Sequence, residues 1–226
     1  MTTVSPSDQK QLASWDAHKQ QSYRQAHQGT VLTFHFLLDE SPSMLGDEAR
    51  NLRTAYNMYL AWLQRHADPM SLAEVRCFSG TLSSSHCMPL GMLKSLTTAT
   101  YNPANGDGTA LYTAVGDTCT TAAPDGQHVL IVFTDGKDNM SAEWTASKLY
   151  MLLKTLQEEH QWLCVFLGAF PDALDVGRSM GFAEGNMLVF TADQIPDAFK
   201  QLQVATGRYL DAPAAQRKQL AAGGIF

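Results

Sequence analysis

The fold of this chain is best predicted from the stretch TVLTFHFLLDESPS at residues 30–43. Its first nine residues, 30–38, are rich in β-branched and aromatic side chains and are almost continuously apolar. That pattern is typical of a short strand buried on both faces of a parallel sheet. His35, inside this run, is expected to be a core or cross-strand histidine whose hydrogen bonds are satisfied. Asp39 then ends the apolar run and opens a polar turn.

A second stretch, HVLIVFTDG at residues 128–136, has the same design. An apolar strand over residues 128–133 ends in Thr134 and Asp135, so a second carboxylate directly follows a second buried strand. If the two strands are neighbours, Asp39 and Asp135 face one crevice at the carboxyl edge of the sheet. Open α/β sheets bind their ligands at such a crevice, where the strand order reverses.

The rest of the chain alternates between helical and strand periodicity. Apolar residues three and four apart predict a helix over residues 46–66, and the turn-rich residues 101–108 precede a helix opened by Thr109. The other predicted elements are strands at residues 72–78, around Cys87, at 162–167 and at 187–190, and helices at 141–161 with Ser141 as N-cap, at 172–180 and at 194–210. This order predicts a Rossmann-like α/β fold, with an open, mostly parallel six-stranded sheet, one antiparallel edge strand, and helices on both faces.

Three regions differ in character along the 226 residues. Residues 1–29 form a polar, Gln-rich N-terminal extension, with a helix predicted over Asp8–His27. Residues 30–210 carry the alternating pattern and are predicted to form one domain. Residues 211–226 are predicted to be a short tail. Ile225 and Phe226 follow two glycines at its end, a pattern typical of a frayed terminus, with docking of this apolar end as the alternative.

Composition narrows the classes of function. The formal net charge of −6 disfavours nucleic-acid binding, which needs a basic face. The four cysteines show no Cys-x-x-Cys spacing, so neither a zinc site nor a redox pair is predicted, and buried free thiols fit a reducing compartment. The polar N-terminus is unlike a secretory signal, and no apolar run approaches the roughly 20 residues of a membrane helix. We therefore expect a cytoplasmic protein with neither a nucleic-acid nor a membrane partner.

Five oxygen-bearing side chains make up the candidate site: Asp39, Ser41, Ser43, Thr109 and Asp135. The first three form a D-x-S-x-S run, in which Pro42 stiffens the loop and alternate residues point to one side. Thr109 lies at a Gly-rich loop where Gly106 and Gly108 permit close backbone approach. Two carboxylates and three hydroxyls, without nitrogen or sulfur, suit a hard divalent cation. Mg²⁺ or Mn²⁺ is predicted, with Ca²⁺ as a further option.

Three motifs that contain these residues occur together in the order FLLDESPSM at 36–44, GTALY at 108–112 and VFTDG at 132–136. In combination they resemble the von Willebrand factor A (VWA) domain and its metal-ion-dependent adhesion site, over roughly Thr30 to Tyr209. The resemblance implies direct metal bonds from the three hydroxyls, while Asp39 and Asp135 hold coordinating waters. It also implies protein–protein binding, as in single-domain intracellular bacterial members encoded beside ATPases or in stress-response operons.

Three functions stay open at this level. The leading hypothesis is a metal-dependent protein-binding module and not an enzyme. In it a partner protein, such as an ATPase or a stress-response assembly, supplies a Glu or Asp carboxylate to the metal. The alternatives are a metal-assisted phosphoesterase, which needs a base or nucleophile beside the metal, and a structural subunit with a vestigial site. Around the site, Glu40 is expected to point to solvent, and Lys137, Asp138 and Asn139 either rim the site or form a solvated loop.

Overall fold

The computed structural model describes residues 31–122 and 126–226, and the helices and strands there are numbered in chain order. These elements are β1 Leu32–Asp39, α1 Asp47–His66, β2 Leu72–Phe78, β3 Met88–Pro89, α2 Leu111–Thr121, β4 Gln127–Thr134, α3 Ala146–Glu158, β5 Leu163–Gly168, α4 Ala173–Met180, β6 Met187–Val189, α5 Ile195–Asp211 and α6 Ala214–Gly223. The helix predicted over Asp8–His27 lies outside the described residues. Of the helices just given, none is long and apolar enough to cross a membrane.

All of these strands belong to one sheet in the order β3-β2-β1-β4-β5-β6. Strand β3 runs antiparallel to β2, and the other neighbouring pairs are parallel, which confirms the predicted fold class. The strand order reverses between β1 and β4, because β2 lies on the other side of β1. Leu38 pairs with Phe133, so Asp39 and Thr134 end their strands at the same level. The reversal opens a crevice at that level, as the sequence predicts.

Helices cover both faces of the sheet because β1 is apolar on both sides. Phe34, Phe36 and Leu38 point into one core, which also contains residues of α1, α5 and α6. Leu37 points into the other core, which contains residues of α2, α3 and α4. Successive side chains of a strand point to opposite faces, so burial on both faces explains why this sequence is apolar without a break.

His35 lies in a buried polar network, which confirms the expected core histidine. Its Nδ1 is 2.6 Å from Glu74 Oε1 on β2, and its Nε2 is 2.9 Å from His128 Nδ1 on β4. The Trp162 ring stacks on His128 with 4.3 Å between ring centroids. Burial opposes the ionised form of Glu74, but the hydrogen bond from His35 and the positive charges of His35, Arg76 and His86 together outweigh it, so the pKa of Glu74 lies below its usual value.

Helix α3 begins later than predicted. Its N-cap is Thr145, whose hydroxyl accepts a hydrogen bond from the Lys148 N–H at 3.3 Å, and its first residue is Ala146. Ser141, the expected cap, instead donates its hydroxyl to Asp138 at 2.6 Å and belongs to the preceding loop. Serine and threonine both suit an N-cap, so the sequence alone does not separate the two positions.

The region around Cys87 also differs from the prediction. Strand β3 is not centred on Cys87, because Met88 and Pro89 are the residues that pair with Ala73 and Leu72 of β2. Cys87 lies outside the strand as an exposed free thiol. The other three cysteines are buried free thiols, as expected from their apolar surroundings in the sequence.

The C-terminal residues are packed, which corrects the expected frayed end. Ile225 is only 3% exposed, because Asn186 holds the chain there. Asn186 Oδ1 accepts the Ile225 N–H at 3.0 Å, and Asn186 Nδ2 donates to the Ala221 carbonyl at 2.8 Å. Gly224, at φ +130°, passes so close to Gly185 that a side chain on either would overlap the other's backbone. Gly224 is one of the two glycines from which a frayed end is predicted, but in the structure it is required for this close packing.

Replacing Ile225 by Ala is expected to lower the free energy of unfolding by about 2 kcal/mol, because truncation of a buried side chain leaves a cavity. Phe226→Ala is the matched control, since Phe226 is 39% exposed and its loss should change stability by less than about 0.5 kcal/mol. Urea unfolding followed by circular dichroism measures both. Two equally small effects would contradict the packing of this terminus.

Candidate metal site

Three loops meet at the carboxyl edge of the sheet, where β1 and β4 end. Asp39 is the last residue of β1, and Ser41 and Ser43 follow it in the loop that leads to α1. Asp135 directly follows β4, and Thr109 lies just before α2. The sheet therefore brings together the five predicted residues from three separate stretches of the chain.

Hydrogen bonds join four of the five residues in a chain. Asp39 Oδ1 accepts the backbone N–H of Ser41 at 2.9 Å. The Ser41 and Ser43 hydroxyl oxygens are 2.9 Å apart, and the Ser43 hydroxyl donates to Asp135 Oδ1 at 2.8 Å. Asp39 and Ser41 are buried, whereas Ser43 is exposed, so this chain runs from the interior to the surface.

Thr109 reaches the same place from the third loop. It is buried, and a Cβ placed on Gly136 would lie 3.7 Å from the Thr109 hydroxyl oxygen. The hydroxyl thus lies beside the residue that follows Asp135. Gly106 allows this loop to come close, because a Cβ there would overlap the carbonyl oxygen of Glu40.

Two further residues, which the sequence interpretation does not single out, hold Asp39 in place. The Thr134 hydroxyl donates to Asp39 Oδ2 at 2.5 Å, and the Tyr101 hydroxyl donates to the Asp39 backbone carbonyl at 2.5 Å. The sequence does contain a signal for Thr134, since it immediately precedes Asp135 at the end of an apolar strand. Tyr101 has no local signal, because it lies 62 residues from Asp39 in the sequence.

The residues around the site are bonded to neighbouring loops. Glu40 does not point to solvent as expected, because its carboxylate accepts the backbone N–H of Asn102. Asp138 and Asn139 do not form a merely solvated loop, since each accepts a backbone N–H at or just before the start of α2. These bonds join the loops after β1 and β4 to the loop that carries Thr109.

Comparison with known proteins rests on structure, since no family model and no curated protein matches this sequence. A von Willebrand factor type A structure from Catenulispora acidiphila matches with 12% sequence identity and a TM-score of 0.50, over 79% of this chain and 43% of that one. The ArnB paralog VWA2 from Sulfolobus acidocaldarius matches with 15% identity and a TM-score of 0.50, over 76% and 45%. This chain has the VWA fold.

A third structure with a similar fold is proximal thread matrix protein 1 from the mussel byssus. It matches with 16% identity and a TM-score of 0.57, over 79% of this chain and 49% of that one. The part that matches this chain therefore covers less than half the length of each of these three solved chains. At such identities the likeness concerns the fold alone.

Within this VWA fold, the two carboxylates of the candidate site lie where negative charge is unfavourable. Burial raises the pKa of Asp39 to about 6, and the hydrogen bonds from Thr134 and Ser41 offset only part of that effect. Burial also raises the pKa of Asp135, although the hydrogen bond from the Ser43 hydroxyl opposes it. A cation at this place would favour the ionised form of both groups.

The donor set fits a hard divalent cation. Among the described residues, no three His, Cys, Asp or Glu side chains form a group that could hold a metal ion. The candidate site combines two carboxylates with hydroxyls, and such oxygen donors are the ligands that Mg²⁺ and Mn²⁺ prefer. Both oxygens of Asp39 already accept hydrogen bonds, which suits a supporting role better than direct metal binding.

Proposed function

We propose that this VWA domain is a metal-dependent protein-binding module that holds Mg²⁺ or Mn²⁺. The hydroxyls of Ser41, Ser43 and Thr109 would bind the ion, and Asp39 and Asp135 would orient them and the coordinating waters. The observation that carries this proposal is the hydrogen-bonded chain from Asp39 through both serines to Asp135, beside the Thr109 hydroxyl. When bound, the ion supplies a positive centre for one further anionic oxygen.

A partner protein would supply that oxygen from a Glu or Asp side chain. Three neutral hydroxyls leave the cation electrophilic, and a carboxylate satisfies both its charge and its octahedral geometry. The approach is from the side of Ser43, which is exposed, since Asp39 and Ser41 are buried behind it. We propose an ATPase or a stress-response assembly as the partner class. The net charge of −6 argues against nucleic acid, and the free thiols suit the reducing cytoplasm.

We further propose that the domain is not an enzyme. A metal-assisted phosphoesterase needs a general base or a nucleophile beside the metal. Among the described residues, no His, Cys or Lys side chain hydrogen-bonds to any of the five site residues. Lys137, the nearest lysine in sequence to Asp135, forms an ion pair with Asp172 at 2.6 Å. Turnover of a generic phosphate ester with Mg²⁺ or Mn²⁺ would contradict this part of the proposal.

Calorimetric titration with Mg²⁺ and with Mn²⁺ tests the metal site, and it should give one bound ion per chain. The affinity should also fall about tenfold between pH 7.5 and pH 5. Protonation of Asp39, whose pKa is raised by burial to about 6, removes a negative charge from beside the cation, so binding of the proton and binding of the metal oppose each other. Circular dichroism at both pH values controls for unfolding. An affinity that is unchanged at pH 5 in the folded protein would argue against Asp39 in the site.

A further inference from the structure

We infer that Asn139 is a positioning residue that sets the metal affinity by holding Thr109, an inference that rests on the proposed function. The observation behind it is the way in which helix α2 is capped. The first backbone N–H groups of a helix have no partner inside the helix, and a side chain just before it usually accepts one of them. The residue at that position is Ala110, whose methyl group accepts none.

The loop after β4 supplies the missing caps from the side. Asp138 Oδ1 accepts the Tyr112 N–H at 3.0 Å, and the Ser141 hydroxyl oxygen accepts the Thr113 N–H at 2.9 Å. Ser141 in turn donates to Asp138 Oδ1 at 2.6 Å, so the two caps support each other. Both of these residues act on α2 itself.

Asn139 instead bonds to Thr109, which is one of the three proposed metal ligands. Its side-chain Oδ1 accepts the Thr109 N–H at 2.8 Å, and its backbone N–H donates to the Thr109 carbonyl at 2.9 Å. The loops pack closely here, since a Cβ on Gly108 would lie 3.0 Å from Asn139 Oδ1 and would overlap the Met140 side chain. Both polar backbone groups of Thr109 are therefore bonded to one residue.

This arrangement fixes the Thr109 loop relative to Asp135. Asn139 lies four residues after Asp135 in the same loop, so its two bonds to Thr109, which is 30 residues away in the sequence, join the loop of a proposed hydroxyl ligand to that of a proposed carboxylate. A ligand that is held in place before the ion arrives loses less freedom on binding, and residues that orient metal ligands affect affinity without touching the ion. Loss of the Asn139 side chain should leave Thr109 in place only through the remaining backbone bonds.

The test compares Asn139→Ala with Ser141→Ala in the whole chain. Both remove one side-chain acceptor of a backbone N–H from the same loop, so both should lower the urea midpoint to a similar extent. Calorimetric titration with Mn²⁺ and Mg²⁺ should show about tenfold weaker binding in Asn139→Ala and nearly wild-type binding in Ser141→Ala. Hydrogen exchange of the Thr109 amide, measured without metal, should be faster in Asn139→Ala alone. If Asn139 were only a structural cap, metal binding would be weakened equally in the two variants or in neither.

Asn139→Asp serves as the conservative variant. It retains the oxygen that accepts the Thr109 N–H and adds negative charge near the cation, so it should bind metal at least as well as wild type. Weaker binding in Asn139→Asp, or equal affinity of Asn139→Ala and wild type, would overturn this inference while leaving the proposed function intact. If the wild-type protein binds neither ion, the proposed function fails first, and the inference fails with it.

Discussion

Asp39→Asn is expected to weaken Mg²⁺ binding by at least about a hundredfold, or roughly 3 kcal/mol, while it stabilises the metal-free fold. The two effects have one cause, which is the buried negative charge of Asp39. That charge attracts a bound cation, but without the cation its burial destabilises the fold. Asparagine can preserve the local hydrogen bonds. Its oxygen still accepts the Ser41 N–H, its amide donates to the Thr134 hydroxyl, and that hydroxyl turns to the Gly136 carbonyl, 3.0 Å away. The variant therefore changes charge and not shape.

The gain in stability should depend on pH. The pKa of Asp39 is about 6 in the folded state against 3.8 for an ordinary aspartate, so folding favours the protonated form. The contribution of Asp39 to wild-type stability without metal should be greatest below about pH 4, fall as the pH rises through about 6, and stay low above it, so Asp39→Asn should gain more stability at pH 7.5 than at pH 5. The pKa difference corresponds to at most about 3 kcal/mol, and this figure already includes the hydrogen bonds from Thr134 and Ser41, which lower the pKa.

Asp107→Asn is the matched control for this experiment. Asp107 is an exposed carboxylate in the loop before Thr109, and it accepts the Gly80 N–H at 3.0 Å without touching the five site residues. Calorimetry with Mg²⁺ and urea unfolding at pH 5 and 7.5 should show wild-type metal affinity in this variant. If Asp39→Asn binds Mg²⁺ as tightly as wild type, the assignment of the site is wrong.

The sequence predicts most of the fold because the strands that decide it are buried on both faces. Strand β2 has the predicted bounds, Leu72–Phe78, and the other parallel strands begin and end within two residues of their predicted bounds. Errors occur where several residues suit the same local role. Ser141 and Thr145 both suit an N-cap, but the Ser141 hydroxyl bonds to Asp138 and to the Thr113 N–H, and Thr145 caps α3. Likewise, Ile225 follows two glycines but is held by Asn186, 39 residues away in the sequence.

In the candidate site, too, local sequence patterns are predictable and contacts between residues distant in the sequence are not. Asp39, Ser41 and Ser43 are close together in sequence, and Asp135 ends a strand of the same type, so their proximity follows from the predicted sheet. The residues that hold them are distant in sequence and are ordinary in type. Tyr101 donates to the Asp39 carbonyl because of how the loop before α2 folds back, and no short motif marks a tyrosine for that role. The proposed metal-site residues are thus easier to predict than the residues that hold them in place.

Thr109→Ala is expected to raise the dissociation constant of the partner complex by at least about a hundredfold without loss of fold. The change removes one hydroxyl from a site that has three, and the cation that would contact the partner is then held poorly or not at all. The structural cost should be about 1 kcal/mol or less, because the backbone bonds of Thr109 to Asn139 do not involve its hydroxyl. Thr120→Ala, at the other end of α2, is the control, since its hydroxyl donates only to helix carbonyls.

The partner complex should also disappear in excess chelator and return when Mg²⁺ or Mn²⁺ is added back, because the proposed bond runs through the ion. A pull-down with wild-type protein, repeated with and without chelator, identifies candidate partners, and their acidic side chains can then be changed one at a time to amides. One Glu→Gln or Asp→Asn change in the partner should match the effect of Thr109→Ala, since each removes one side of the same metal bridge. Combining the two changes should then add little, because interactions that share one bridge are not additive. A partner that binds equally well in chelator, or whose acidic residues can all be neutralised without effect, would rule out this mode of binding even if the domain binds metal.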